Sequence, residues 1–584
     1  MKLLLTYLKK VWPVYLLSVL CVVAETVADL LQPSLLSDIV DIGIANQDMS
    51  YVLRTAAVMI AIVAVTGFAA VGRSVFSSMG SERVGYLLRS DLYRKIQTLA
   101  PDELDRFGTS TLMTRMTNDV TQIQNLSHSM MRAFIRAPIL CIGSVIMAFR
   151  INARLAIIPM CLIPVIFFVI YLNLRIGFPL YAKVQAALDR VNTVMREYLS
   201  GVRVVKAFNR FKYEVSRFAV PNEELRRTSV HAARVISVFN PTVTLIIYFG
   251  IVMIFTRGGA LVNEGDMQNG EIIAFYSYMT QILMSLNMIS NIFNRVVRVK
   301  ASVARIDEVL HSDRLQLNPA DPEALDLNEG IRFENVSFSY RGKKPALKNL
   351  SFSCGVGEKV GVIGSTGSGK TTLISLILQF YQPSEGKVSI FGADATRCSP
   401  AEVRDHLAVV TQRITLFTGS ILENIRWGNG DADMDEVRAA AQAAQADGFI
   451  QGFQEGYDTQ LGHSGVNLSG GQRQRIAIAR ALIKKPKILI LDDCLSAVDA
   501  LTEASIREAL AEEAHQRGLL IISQKISSIL DCDRIVVLDD GVCDGVGTHE
   551  QLLESSQVYR DIFASQYGRE ALAQALCGKE AFNG

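Results

Sequence analysis

The sequence predicts a membrane protein in two parts: an all-α transmembrane domain of six helices, followed by an α/β nucleotide-binding domain of the P-loop class. Three observations predict this fold. The 584 residues are 49% hydrophobic and only 20% charged, which is too apolar for an ordinary soluble enzyme. The long apolar runs all lie before residue 300, and a glycine-rich phosphate-binding motif follows them.

Charge and cysteine content exclude several other classes of protein. Lys and Arg total 59 against 57 Asp and Glu, for a net charge of +2, whereas nucleic-acid binders carry a basic excess or stripe. We therefore expect no nucleic-acid partner. The nine cysteines are scattered without a CxxC pair, so neither a zinc site nor a disulfide framework is indicated.

Four apolar runs are long enough to cross a membrane, which takes about 20 residues of helix. They occupy residues 55–72, 155–174, 235–256 and 272–294. Two weaker spans are predicted at 11–36 and 137–149. Rejecting either one alone would place the charged segments on inconsistent sides of the membrane. A buried amphipathic helix is the alternative for 137–149.

Six spans place both chain ends on one side of the membrane. Segment 177–235 carries 11 Lys and Arg residues, whereas loop 41–50 has two acids and no basic residue. Positive segments stay in the cytoplasm, so a plasma-membrane protein with cytoplasmic termini and a cytoplasmic nucleotide-binding domain is expected. The predicted domains are the transmembrane domain at 1–310 with long helical extensions, a linker at 311–330, and the nucleotide-binding domain at 331–584 with a C-terminal helical tail.

The strongest motif is a phosphate-binding loop between an apolar strand and a helix-patterned run. Glycines allow backbone N–H groups to surround phosphate oxygens at the N-terminus of a helix. Lys370 is expected to reach the β- and γ-phosphates, and Thr371 to bind Mg²⁺. The predicted nucleotide-binding residues of this loop are Gly364, Ser365, Thr366, Gly367, Ser368, Gly369, Lys370, Thr371 and Thr372.

Two further motifs agree with a nucleotide site. Residues 487–492 form an apolar strand that ends in Asp492, a carboxylate placed to hold Mg²⁺. A second anion-binding element opens the helix just before it, at Ser469, Gly470, Gly471 and Gln472. Since the chain already has one P-loop, this element is expected to serve a nucleotide held mainly by another copy.

Together these motifs resemble those of the ATP-binding cassette (ABC) exporters, and the resemblance covers essentially the whole chain as a half-transporter. It implies that ATP and Mg²⁺ are bound. By the same resemblance, Tyr340 stacks on adenine, Gln412 touches Mg²⁺ and the attacking water, and residues 496–499 cross the dimer interface. An ordinary strand-edge tyrosine is the alternative interpretation of Tyr340.

The chain departs from the family pattern at two catalytic positions. Asp493 stands where the family has a catalytic Glu; it is shorter by one methylene, or about 1.5 Å, and a general base needs hydrogen-bond reach. Gln524 stands in place of the switch His and cannot take up a proton. His463, before the second anion-binding element, is a third departure. The first two predict a degenerate site, although Asp493 alone could be a tolerated variant.

Several positions in the spans are candidates for substrate contact. Glu25 and Asp29 lie four residues apart on one helical face, where charges are costly and face a bundle interior or a wet cavity. They are expected either to recognise a cation or to pair with Arg73 or Arg132. Soft side chains on the sixth span suit apolar ligands, with lipid-facing or packing roles as the alternative. These further candidates are Met284, Asn287, Met288 and Asn291.

The predicted function is ATP-driven export of amphipathic drugs or lipids by a heterodimer. The expected partner is a second half-transporter that carries the Glu and His pair and owns the hydrolytic site, which the motif at 468–472 of this chain completes. The alternatives are an ATP-gated channel or sensor, and a slow homodimeric exporter or lipid flippase.

Overall fold

The protein is described by a computed structural model that covers residues 2–312, 319, 321–340, 344–462, 465–495, 498–513 and 517–576. The chain packs as two units. One unit comprises Met1–Gln97 and Gly108–Ser312, and the other comprises Thr98–Phe107 and Asp313–Gly584. Each unit has its own apolar core.

Helices account for nearly all of the N-terminal half. Two of its turns, Ile39–Ile44 and Arg115–Asp119, are π-helical. The helices are α1 (Lys2–Lys10), α2 (Trp12–Asp38), α3 (Met49–Thr98), α4 (Pro101–Phe107), α5 (Thr109–Thr114), α6 (Val120–Ile151), α7 (Ala153–Ser200), α8 (Val202–Ala207), α9 (Phe211–Ser237), α10 (Phe239–Glu264) and α11 (Asn269–Leu310).

Within the described residues, six helical stretches are long and apolar enough to cross a membrane. The weaker predicted span at 11–36 lies within Trp12–Ile44, and the one at 137–149 lies within the 43-residue stretch Thr109–Ile151. The six-helix prediction is therefore confirmed. The stretches are Trp12–Ile44, Met49–Thr98, Thr109–Ile151, Ala153–Ser200, Phe211–Glu264 and Asn269–Ile289.

Local sequence explains the sharp turns between these long helices. Asn152 is the single residue between α6 and α7, and its side chain accepts hydrogen bonds from two backbone N–H groups of α7. Gly265 ends α10 in the left-handed conformation that glycine adopts without strain. Gln268 and Glu271 then form a capping box that begins α11.

The C-terminal half adds strands and shorter helices. The strands are β1 (Ile331–Phe338), β2 (Leu347–Cys354), β3 (Lys359–Gly364), β4 (Glu385–Ile390), β5 (Ala393–Asp394), β6 (Leu407–Val410), β7 (Gly419–Ser420), β8 (Gln460–Leu461), β9 (Ile488–Asp492), β10 (Gly518–Ser523), β11 (Arg534–Asp539) and β12 (Val542–Gly547). The helices are α12 (Lys370–Ile377), α13 (Pro400–Asp405), α14 (Ile421–Arg426), α15 (Met434–Ala443), α16 (Asp447–Gln451), α17 (Gly470–Leu482), α18 (Ala500–Glu513), α19 (His549–Ser555), α20 (Gln557–Tyr567) and α21 (Arg569–Leu576).

The main sheet of this half has the strand order β12-β11-β3-β10-β9-β6. Its strands run parallel except for β12, which pairs antiparallel with β11. A second, antiparallel sheet has the order β2-β1-β4-β5. Because parallel strands end at the same edge of a sheet, the residues that follow β3, β10, β9 and β6 lie side by side, and ligands of α/β folds bind at that edge.

Candidate nucleotide-binding site

The phosphate-binding loop begins where the buried strand β3 ends. Gly367 and Gly369 have φ angles of +89° and +103°, a region that side chains rarely adopt. A Cβ atom on Gly369 would also lie 2.7 Å from the carbonyl oxygen of Ala346. These positions need glycine, and Gly369 directly precedes the first residue of α12.

Lys370 is folded back over the loop that precedes it. Its Nζ donates hydrogen bonds of 2.7 Å to the carbonyl oxygens of Gly364 and Ser365. Burial lowers the pKa of Lys370, and the nearby carboxylates of Asp492 and Asp493 oppose that shift. The ammonium group is therefore positioned at the loop where phosphate oxygens are expected.

Tyr340 lies next to the same loop and is tied to α12. Its hydroxyl hydrogen-bonds with the Thr372 hydroxyl at 3.2 Å. Its ring packs edge-to-face on Phe338 and Tyr381, with centroid distances of 4.8 and 5.1 Å. This packing fixes the ring beside the phosphate-binding loop.

Asp492 ends β9 and Asp493 follows it, and both acids accept hydrogen bonds from Gln412. Asp492 is buried and accepts a hydrogen bond from the Gln412 backbone, and burial raises the pKa of Asp492. The Gln412 side-chain amide donates to Asp493 Oδ2 at 3.2 Å. Gln412 thus contacts both acids from the end of β6, which neighbours β9.

The backbone of Asp493 is held firmly. Its N–H donates to the carbonyl oxygen of Ile522 at 2.7 Å, and its φ angle is +45°. Because the backbone position is set, a shorter side chain shortens the reach of this acid toward a substrate.

Gln524 follows β10, beside β3 and β9, and its side chain is exposed. The segment is fastened by Gln566 of α20, which sequence reasoning missed. Gln566 Nε2 donates to the Gln524 carbonyl oxygen at 2.7 Å, and the Ile526 N–H donates to Gln566 Oε1 at 2.9 Å. No sequence motif marks Gln566, because the contact spans 40 residues or more.

The second anion-binding element opens α17. Ser469 and Gln472 form a capping box, with the Ser469 hydroxyl accepting the Gln472 N–H at 3.2 Å. Helix α17 packs through Ile476 and Ile478 into one apolar core, whereas the P-loop helix packs through Leu373 into another. The two phosphate-binding elements of one chain therefore belong to different cores.

The acids of the first span make ion pairs within the helical unit. Arg73 Nε donates to Glu25 Oε2 at 2.6 Å, and Arg136 donates to Glu25 at 2.7 Å and to Asp29 at 2.8 Å. The prediction of Arg73 as a partner agrees with this geometry. The alternative partner named from the sequence, Arg132, makes no ion pair with these acids among the described residues, and Arg136, one helical turn further along α6, contacts both carboxylates.

The sixth-span candidates share one face of α11. Met284 and Asn287 are exposed and Met288 is half-buried, whereas Ile282 and Leu286 on the other face enter the core. The side chain of Asn291 lies outside those that the structure describes. His463 and Ser496 also lie outside the described residues.

Comparisons with known proteins cover both halves of the chain. Residues 15–286 match the model of the ABC transporter transmembrane region, and residues 347–496 match that of the ABC transporter. The chain is 37% identical to the uncharacterized ABC transporter ATP-binding protein YfiB of Bacillus subtilis, over 95% of this chain and 96% of that relative.

Other matches have the same extent. The chain is 36% identical to the uncharacterized ABC transporter ATP-binding protein MT1311 of Mycobacterium tuberculosis, covering 93% and 94% of the two chains. A solved structure, a bacterial Atm1-family ABC exporter with ATP bound, superposes with a TM-score of 0.80 at 24% identity, covering 96% of this chain and 98% of that one. At this identity the superposition establishes the fold alone.

Proposed function

This chain belongs to the ABC transporter family, and from that premise we propose that it is one half of a heterodimeric exporter whose own nucleotide site binds ATP but cleaves it slowly. The fold is that of an ABC exporter, a class of dimeric multi-pass membrane proteins. The proposal concerns which site hydrolyses ATP, which partner completes it, and what is exported.

The observation that carries the proposal is that both departures from the family pattern, Asp493 and Gln524, follow neighbouring strands of the sheet. β9 and β10 are neighbours in the sheet, so both departures affect the same nucleotide. Asp493 has a fixed backbone and a short side chain, and Gln524 offers an amide that hydrogen-bonds without accepting a proton. A site with both changes retains contacts for binding and loses those for activating water.

The binding residues, in contrast, are complete and fit ATP and Mg²⁺. The loop glycines hold conformations that suit a phosphate cradle, and a Cβ on Gly364 would lie 2.2 Å from the Leu538 carbonyl oxygen. Thr371 at the start of α12 and the buried Asp492 supply the hydroxyl and carboxylate oxygens that Mg²⁺ prefers. When bound, Mg²⁺ would neutralise phosphate charge, while Lys370 binds and orients the phosphates and Tyr340 offers a ring for the base.

The intact motif at 469–472 supports a partner with a competent site. Its capping box is formed and the Ser469 side chain is exposed, so the hydroxyl and the helix N-terminus are available to a nucleotide on another subunit. We infer that this partner carries the Glu and His that this chain lacks.

Transport follows from the preference of ATP for the closed dimer. ATP at both composite sites would favour the closed state, and hydrolysis at the partner-owned site would release it, which shifts the populations of inward- and outward-open states. We propose amphipathic small molecules, drugs or lipids, as the cargo. We also propose the plasma membrane as the location, with the termini and nucleotide-binding domain in the cytoplasm.

The test is the ATPase activity of this chain purified with its proposed partner half-transporter, which we expect the neighbouring reading frame to encode. Asp493→Asn should leave the activity of the complex within about twofold of the unchanged protein, because hydrolysis occurs at the other site. Gly471→Asp should abolish activity, because it places a carboxylate in the motif that completes the hydrolytic site. Brisk hydrolysis by this chain alone, or loss of activity in Asp493→Asn, would overturn the asymmetric model.

A further inference from the structure

The helical unit contains a cluster of charged side chains in which basic residues outnumber acidic ones. Glu25 and Asp29 are each bonded to arginine, as described above. Arg136 serves both carboxylates, and Arg73 serves Glu25. Each acid is thus already neutralised by a guanidinium of α3 or α6.

Two further arginines of the same group, Arg132 and Arg295, form no ion pair among the described residues. Arg132 interacts electrostatically with Arg73, Glu25 and Arg136. His128 interacts with Arg132, Arg295 and Arg73, and Arg295 donates to the Ser129 hydroxyl at 2.6 Å. The cluster, which we define as Glu25, Asp29, Arg73, Arg132, Arg136 and Arg295, therefore contains four guanidinium groups and two carboxylates.

Two guanidinium N–H donors of the cluster also lack acceptors among the residues that the structure describes. Arg73 Nη1 and Arg136 Nε are buried and make no hydrogen bond within the described part of the chain. The Arg73 side chain is only 8% exposed. A buried guanidinium N–H without a partner is costly, and an anion that accepts from it would remove that cost.

The cluster also reaches the surface of the unit. Arg132 and Arg295 are exposed, and Arg136 is partly exposed. A ligand can therefore contact the cluster from outside while its charged group meets guanidinium donors, which bind planar carboxylates and phosphates in a bidentate manner. Apolar spans border it, since uncharged runs at 55–72 and 137–149 end beside Arg73 and Arg136.

We propose that this cluster binds the anionic headgroup of an amphipathic molecule, a carboxylate, phosphate or sulfonate attached to an apolar body. The inference rests on the proposed export function and names the class of its cargo. It replaces cation recognition by Glu25 and Asp29, because both acids are engaged and the remaining charge is positive. The headgroup could belong to a membrane lipid or to a free amphiphile.

The test uses three probes with one apolar body and different charges. They are diphenylhexatriene, its propionic acid and its trimethylammonium derivative, titrated against the full-length chain in phosphatidylcholine nanodiscs without ATP. The propionic acid should bind at least about tenfold more tightly than the other two, which is the effect of one charge-assisted hydrogen bond. Equal binding of all three probes would overturn the proposal.

Variants locate the binding to the cluster. Arg132→Gln should weaken binding of the anionic probe by about tenfold and leave the neutral probe unchanged, whereas Arg132→Lys should retain most of the affinity. Arg150→Gln is the matched control, since Arg150 is an exposed arginine at the other end of α6. Asp29→Asn should strengthen binding of the anionic probe, because it removes a negative charge from the cluster. If the acids instead recognised a cation, the same variant would bind the trimethylammonium probe more weakly. If Arg132→Gln and Arg150→Gln behave alike, the assignment fails.

Competition identifies the source of the headgroup. Displacement of the propionic acid by phosphatidylglycerol added to the nanodisc supports a lipid headgroup, and retention of the probe supports a free amphiphile. Because no ATP is present, these results do not depend on which site hydrolyses it. Failure of the asymmetric site leaves the binding data intact, and failure of anion binding leaves the ATPase data intact.

Discussion

If the proposed model is correct, a longer acid at 493 and an imidazole at 524 should make the nucleotide site of this chain hydrolytic. In Asp493→Glu the backbone stays where the N–H bond to Ile522 holds it. The carboxylate then extends by about 1.5 Å, past the position where Asp493 now accepts from the Gln412 amide at 3.2 Å. In Gln524→His the new side chain gains a group that accepts a proton.

The expected gain follows from what a positioned base contributes. General base catalysis supplies about 10²–10⁴-fold, equivalent to about 3–5 kcal/mol of activation free energy. We therefore expect the double variant to release phosphate at its own site at least about a hundredfold faster than the unchanged chain. Glu is less suited than Asp to the positive φ angle of this position, so a small loss of stability should accompany the gain.

The measurement is single-turnover phosphate release from the heterodimer in which the partner's catalytic carboxylate has been removed. Gln524→His alone is the control, because it adds the imidazole without extending the acid, and it should leave the rate nearly unchanged. A double variant whose rate stays within about threefold of the unchanged chain refutes the argument from reach.

Three further outcomes are expected. Gln566→Ala removes two hydrogen bonds at about 1 kcal/mol each, so amide hydrogen exchange at 524–526 should accelerate by about tenfold or more; unchanged exchange would contradict the fastening role. Ser469→Ala and Ser420→Ala each remove a helix cap worth about 1 kcal/mol, but only the first should slow ATP hydrolysis of the heterodimer, and equal slowing would count against a partner site. Burial raises the pKa of Asp492 above its unfolded value, so the free energy of unfolding falls as pH rises and this carboxyl group loses its proton. Asp492→Asn should therefore raise the melting temperature at pH 7 in the absence of nucleotide. It should also reduce the further stabilisation that Mg²⁺ and ATP produce, and scanning calorimetry measures both effects.

Much of the fold could be predicted because its signals are local. An apolar run between charged residues predicts a membrane-spanning helix, since about 20 residues must be apolar to cross the hydrocarbon core. The weak run at 137–149 is too short to be recognised from its composition, and the sequence analysis included it because the charged segments must lie on consistent sides of the membrane. The structure places it within the helical stretch Thr109–Ile151. Likewise Gly367 and Gly369 report a loop conformation that other residues rarely adopt.

Ion pairing in the spans could not be predicted in the same way. The sequence analysis named Arg132, and Arg136, one turn further along α6, makes the contact instead. Which one reaches the acids depends on how α6 is rotated against α2. That rotation results from packing of the whole bundle.

The sequence by itself determined that this chain has six spans and a phosphate-binding loop, because each of these features lies in one continuous stretch of residues. The resemblance to ABC exporters added that Asp493 and Gln524 depart from the family pattern. Tertiary structure alone decided that Gln412 contacts two acids, that Gln566 holds the segment after β10, and that arginines outnumber the two acids of the first span. These depend on contacts between residues far apart in the chain, whose geometry is set only when helices and strands pack together.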